Sequence, residues 1–224
     1  MTYSGLPRAT LAFLGDLVAH NDRDWFMAHR DTYETAWLAA GLDLVAAIAP
    51  HLADAQPSIQ AVPKLNHSLR RIHRDVRFSG DKRPFDPCLH IVLSTDGPFN
   101  KVPGFHFVIR SQSISYGAGQ YGLTPERLET IRRRICTPPD RADLLAALGN
   151  AAATGSDLDP PDLARTPKGY EAAPEWDHLL RRKSMIARTQ SPLPVPDWLF
   201  GPEAPRQIAR LAKAHLPLLA WLLR

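Results

Sequence analysis

Cysteine is nearly absent from this chain. Only Cys88 and Cys136 occur in 224 residues, and they form neither a close pair nor a metal-type spacing. A disulfide framework and a cysteine-based zinc motif are therefore not expected, and the usage fits a reducing compartment. Long apolar runs are missing as well. No stretch reaches the ~18 uninterrupted apolar residues of a membrane span, and the nearest, residues 36–49, is broken by Gly41 and Asp43. The opening residues, Met1 to Arg8, contain no basic head followed by an apolar run, so no secretory signal is expected. Nor does one charge sign dominate. There are 27 basic and 23 acidic residues, a net charge of +4, which is too mild to argue for a nucleic-acid partner. Together these absences lead to the expectation of a cytoplasmic protein with no membrane partner.

The chain does have the material for an ordinary core, with 44% hydrophobic and 22% charged residues. Leu11, Leu14, Leu17 and Val18 recur at helical spacing, with Thr10 as a candidate cap. Asn21 and Asp22 interrupt and can cap a second helix. Phe26, His29, Tyr33 and Trp37, then Leu42, Val45 and Ile48, continue a helical stripe toward Pro50. The middle of the chain reads as strand, with Leu69–Arg74, His90–Thr95 and residues 105–109, where Phe105, Phe107 and Ile109 alternate with His106 and Val108. Residues 112–116 follow as either a hairpin partner or a bulged continuation. Helices return after Thr124-Pro125-Glu126, a start signal of cap, proline and acid. Asp140 to Leu148 forms another helix, ended by Gly149. The segment from Pro174 reads as a short helix, and the chain from Pro205 as a last helix kinked at Pro217.

This order predicts an α+β fold with N-terminal helices, a central mostly antiparallel sheet and C-terminal helices packed on it. One domain over 1–224 is expected. It has a helical part at 1–52, a sheet-forming core at 64–120 and a helical part at 124–224, with long loops at 154–174 and 189–204.

Several short motifs resemble known chemistry without its context. Gly117-Ala118-Gly119-Gln120-Tyr121-Gly122 matches G-x-G-x-x-G. A dinucleotide site, however, needs the third glycine at a helix start and a second parallel strand, neither of which follows; a glycine turn leaving a strand is the plainer reading. His73-Arg74-Asp75 looks like a kinase catalytic loop, but Gly80 stands where the asparagine should be. Nine histidines form no H-E-x-x-H pair; His90 and His106 can face each other across strands, with a structural role as the default. Trp25, Phe26, Tyr33 and Trp37 read as core packing, and the basic runs 132–134 and 181–183 as solvated helix faces.

The segment that departs from the ordinary is 70–85. Between 64 and 83, seven basic residues (Lys64, Arg70, Arg71, Arg74, Arg77, Lys82, Arg83) face two acids, Asp75 and Asp81, a local excess of five. On a strand, Arg71, His73, Asp75 and Arg77 would share one side. Two readings of these residues stand side by side. In one, an Arg–Asp–Arg ion network pins the following loop. In the other, a cationic cleft takes a phosphate or carboxylate, with Asp75 holding the arginine forks and Ser79-Gly80-Asp81-Lys82 adding a hydroxyl, backbone amides and an ammonium.

Several separated blocks stand out: Phe13-Leu14 and Asn21-Asp22-Arg23-Asp24-Trp25-Phe26 with Tyr33; Arg71-Ile72, Arg74-Asp75, Arg77-Phe78-Ser79, Asp81-Lys82 and Pro84; then Gly117 and Gly119, Pro167-Lys168-Gly169-Tyr170, Leu180, and Lys183-Ser184. In these the chain resembles the bacterial domain-of-unknown-function family 2461. Two positions depart from its pattern, His20 before Asn21-Asp22, and Phe85-Asp86 where a tyrosine and then a lysine are usual. The resemblance implies a compact α+β domain and carries over no activity.

Three functions are then expected to compete. The first is a cleft for an anionic, phosphorylated small molecule. Arg71, Arg74, Arg77 and Ser79 would bind it, Lys82 and Lys168 would close it, and Asp75 would orient the arginines or act as a base. The second is a non-enzymatic fold-fixing network with a surface for a protein partner. The third is metal-dependent phosphodiester cleavage using Asp75 and Asp81. The residues themselves assign no metal and no cofactor.

Overall fold

The computed structural model describes residues 3–97, 101–171 and 173–224. Three helical segments open the chain. Helix α1 (Arg8–Ala19) buries Leu14 and Leu17 of the stripe expected from spacing; Leu11 is half-buried, Val18 is exposed, and Phe13 takes the remaining inward place. It starts earlier than Thr10, whose hydroxyl is instead buried and donates to the Ala36 carbonyl at 2.5 Å. Helix α2 (Arg23–Ala28) is capped by Asp22, which accepts from the Trp25 amide. A longer run follows as α3 (Arg30–Thr32), a π-helical turn (Tyr33–Ala39), α4 (Ala40–Ile48) and a 3₁₀ turn (Ala49–Leu52). By length and mean hydropathy this run could cross a membrane. Here Trp37, Leu44, Val45 and Ile48 are instead fully buried in the core.

Among the described residues the sheet has seven strands, all paired antiparallel, in the order β1-β2-β3-β4-β6-β5 with β7 on β4. These are β1 (Ile59–Gln60), β2 (Leu89–Thr95), β3 (Gly104–Ile109), β4 (Ser113–Gln120), β5 (Ser156–Leu158), β6 (Met185–Thr189) and β7 (Leu193–Pro194). Strands β3 and β4 close as a hairpin, with Ile109 opposite Ile114 and the Arg110 amide bonded to the Ser113 carbonyl at 2.8 Å. The period-two pattern holds. Leu89, Ile91, Leu93, Phe105, Phe107, Ile109, Ile114, Tyr116 and Ala118 point to the helical side and are buried, leaving His90, His106 and Ser115 on the other.

The carboxy-terminal half supplies α5 (Pro125–Cys136), α6 (Pro138–Ala152), α7 (Pro174–Leu180) and α8 (Ala204–Leu223). Thr124 caps α5 as expected, accepting from the Arg127 amide. Helix α6 runs past Gly149 to Ala152, because Ala147 and Ala151 pack in a second apolar cluster with Leu218 and Trp221. Tertiary burial there outweighs the roughly 1 kcal/mol that a glycine costs. Helix α8 continues through Pro217 and spans both apolar clusters, which makes it the common backing of the sheet. The expected 154–174 loop begins with strand β5 on the sheet edge, and Ala172 within it lies outside the described residues.

Candidate functional site

The structure corrects the expected strand at Leu69–Arg74. The chain runs beside β2 through isolated bonds, Arg70 amide to His90 carbonyl at 2.9 Å and Val92 amide to Ser68 carbonyl at 2.8 Å. It then turns away to make a stem with residues 84–86. In that stem the Arg74 amide bonds the Pro84 carbonyl, and the Asp86 amide bonds the Ile72 carbonyl, both at 2.8 Å. Pro84 offers no amide to return the Arg74 bond, and the register slips by two between the His73–Phe85 and Leu69–Ile91 bridges, so no continuous ladder forms. Buried Ile72 and Phe85 anchor the stem. Phe85 stacks on Phe26 with centroids 4.2 Å apart, and Asn21 clasps both its amide and its carbonyl at 3.0 Å.

The loop between the two stem legs is tied by a repeated Asp-x-Arg spacing. Asp75 accepts from the Arg77 amide at 3.2 Å and from its guanidinium at 2.7 Å. Asp81 does the same with Arg83, at 3.0 Å and 2.8 Å. Each is an aspartate turn reinforced by a bidentate fork. Asp81 also accepts from Arg74 at 2.8 Å, and Arg74 in turn reaches the Arg83 carbonyl at 3.0 Å and the Ser79 hydroxyl at 3.5 Å. Lys82 donates to the Val76 carbonyl at 3.1 Å. The Arg77 side chain and backbone amide hold the Asp75 carboxyl below its usual range. Hydrogen bonds from Arg83, then Arg74, push Asp81 further down.

The loop residues are therefore matched but not sealed. The Arg77 side chain is 76% exposed and the Asp75 side chain 44%. Arg71 stands apart. It is exposed and, among the described residues, has no carboxylate within the 4.0 Å of an ion pair. The structure gathers Arg74, Ser79, Asp81 and Lys82 on this one loop, and Asp75 with Arg77. Lys168 belongs to a different neighbourhood. It is exposed in a loop that rests on α5 and α7 through the Tyr170–Glu129 and Thr166–Asp177 hydrogen bonds, whereas the 70–86 segment rests on α2.

Besides a hollow of about 550 Å³ that takes in Lys82, Arg83 and Pro84 with Asp22 and Asp24, three others lie at the stem and on the adjoining sheet. A cleft of about 330 Å³ opens beside β2, lined by Arg70, Arg71, His73 and Arg74 together with Asp75, Asp86, Cys88 and His90. Asp86 is engaged by Arg110 at 3.3 Å. Each carboxylate of this cleft is thus held by an arginine that does not line it. A wider hollow of about 610 Å³ lies between the stem and the amino-terminal helices, with Phe26, Tyr33 and Phe85 as walls and Arg23 in the lining; it shares His73 and Arg74 with the cleft. The third, about 230 Å³, lies on the open face of the sheet over β3, β4 and β6. His90 lines both this hollow and the cleft.

On the open face His90 Nε2 and His106 Nδ1 are 2.9 Å apart, so one ring donates and the other accepts. Burial, then the neighbouring ring and arginines, push His90 down to about 3, and burial with Arg70 pushes His106 down to about 4. Both are neutral at pH 7. Arg188, the cation of this hollow, is held by Asp159 at 2.7 Å. Gly117 and Gly119 form its floor for a steric reason: a Cβ on Gly117 would lie 2.4 Å from Arg188 Cβ, and one on Gly119 would lie 2.0 Å from the Met185 carbonyl oxygen. The G-x-G spelling is thus a record of β4 and β6 in close approach. Strand alternation pairs the two histidines; nothing in the local sequence brings Arg188 to them, because β6 pairs Arg188 with Gly117, 71 positions earlier.

The model of one protein family, described as a conserved hypothetical protein (DUF2461), matches residues 9–221. No curated protein and no solved structure matches the chain.

Proposed function

The chain belongs to the DUF2461 family of conserved hypothetical proteins, and from its own geometry we propose that it binds a small anionic, phosphorylated molecule in the cytoplasm, in the cleft between the 70–86 segment and β2. The observation that carries this reading is Arg71. Its guanidinium is exposed at a hollow whose two carboxylates are already occupied by Arg77 and Arg110. An arriving anion meets a fork with no ion pair of its own, beside two carboxylates that each hold an arginine; the Arg71 charge also steadies the Asp75 carboxylate at longer range. Arg74 adds field from beneath while Asp81 fixes its position, and His73 and His90 supply uncharged contacts at the rim.

Asp75 and Asp81 orient arginines here and are poor proton acceptors, since arginine forks saturate both carboxylates. Phosphodiester cleavage with a metal has less support: among the described residues no three His, Cys, Asp or Glu side chains gather to hold an ion. The fold-fixing reading keeps one observation in its favour, the Asp-x-Arg turns, which rigidify the loop whether or not a ligand comes.

Titration with inorganic pyrophosphate at low salt tests the proposal. Arg71→Ala is expected to weaken binding by about tenfold or more, the worth of one charge-assisted hydrogen bond. Arg188→Ala, on the other hollow, should leave it unchanged. Equal affinity of wild type and Arg71→Ala, or no binding at all, would remove the anion site.

A further inference from the structure

The two hollows that share His90 in their linings differ in electrostatic character. The cleft carries Arg71, with no ion pair of its own. The sheet-face hollow carries no unmatched charge, because Arg188 is bound to Asp159 and both histidines are neutral. Val108, Ile186 and Tyr121 line it, with Gly117 and Gly119 of β4 beneath. At about 230 Å³ it is smaller than the roughly 300 Å³ at which whole small-molecule sites begin, so it suits part of a ligand.

The histidine pair sets what that part must be. Two neutral imidazoles carry two N–H groups and two bare nitrogens. The single bond between His90 Nε2 and His106 Nδ1 consumes one of each. One N–H and one bare nitrogen remain, on opposite ends of the pair, and a tautomer swap exchanges which end donates. The pair can thus match a donor or an acceptor without paying for a charge. Ser115 and Thr189 add hydroxyls at the same hollow.

We infer that the sheet-face hollow seats the uncharged, flat heterocyclic end of the ligand whose anionic end lies at Arg71, the chemistry of a nucleoside monophosphate. This inference rests on the anion site proposed above and names the class of molecule that site takes. His90 is the junction of the two halves, and His106 reads only the neutral one.

Calorimetric titration of the full chain with ribose 5-phosphate and uridine 5′-monophosphate tests it. The nucleotide is expected to bind at least tenfold tighter than the sugar phosphate. His106→Phe should bring the nucleotide down to the level of the sugar phosphate and leave the latter unchanged, while Arg71→Ala should weaken both. Should His106→Phe fail to fold, side-chain ¹⁵N spectra of the wild-type histidines decide. Uridine 5′-monophosphate should move the His106 nitrogens and ribose 5-phosphate should not. Equal affinity of the two probes, or His106 nitrogens unmoved by the nucleotide, overturns the inference and leaves the anion site standing. Failure of pyrophosphate and both probes alike overturns the two together.

Discussion

The 70–86 segment and the β2–β3–β4 face both present polar side chains to solvent, yet they hold them by opposite means. In the segment, the aspartates bind arginines two residues along, in turns that the local chain can make alone. On the sheet face, His90 and His106 meet because β2 and β3 pair in one register, with Val92 opposite His106 and His90 opposite Val108. The first arrangement keeps its charges in water, where an ion pair gains little. The second keeps its groups neutral because burial penalises the imidazolium. Local charge pairs therefore shape the loop, and the ladder positions the less exposed chemistry.

The contrast is broken or sharpened by substitution. The largest effect is expected beneath the sheet face. Phe107 is fully buried, and Phe107→Ala should cost about 3–5 kcal/mol in urea unfolding, abolishing the histidine register along with the core. Next comes Gly119→Ala, whose Cβ would collide with the Met185 carbonyl at a φ of +153°. A loss of roughly 1–3 kcal/mol or more is expected, with selective exchange of β4–β6 amides as the local signature.

The third prediction concerns pH. His90 and His106 lie at about 3 and about 4 in the folded chain, against an ordinary value near 6.5. Between those limits the unfolded chain binds more protons, so stability rises with pH through this window and falls as the solution is acidified below about 6.5. The loss is at most about 1.4 kcal/mol per histidine for each pH unit. His215, buried and also depressed, adds to the same trend. A variant with both sheet-face histidines replaced should therefore show a shallower decline, and an unchanged slope would mean the pair is not the sensor.

The smallest effect belongs to the loop. Asp75→Asn removes a partner from an exposed arginine, and the melting temperature should stay within error at neutral pH. A large loss would mean that the turn is part of the folding unit, which would bring the two regions closer together than their geometry indicates.

Much of this was legible along the chain. Helical spacing gave Leu14 and Leu17 of the α1 stripe but named exposed Val18 in place of Phe13, and Asp22 and Thr124 were readable as caps because capping needs only neighbours three residues away. Alternation through Phe105–Ile109 gave the inward face of β3. The strand expected at Leu69–Arg74 was not realised, because Pro84 lacks the return donor and the register slips by two where the segment leaves β2. Side-chain grouping was less legible than the elements. Lys168 shares a charge with the central segment but lies in a loop docked on α5, and Arg188 reaches the histidines only through strand pairing.

The sequence by itself determined most of the helices, the central strands and, through Asp-x-Arg spacing, the turns of the 75–83 loop, since each depends on residues within one or two turns of chain. Tertiary structure alone decided which arginine is left without an ion pair and which histidines meet. Those outcomes depend on carboxylates and strands brought together across tens of residues, where pairing is set by packing of the common core and not by spacing along the chain.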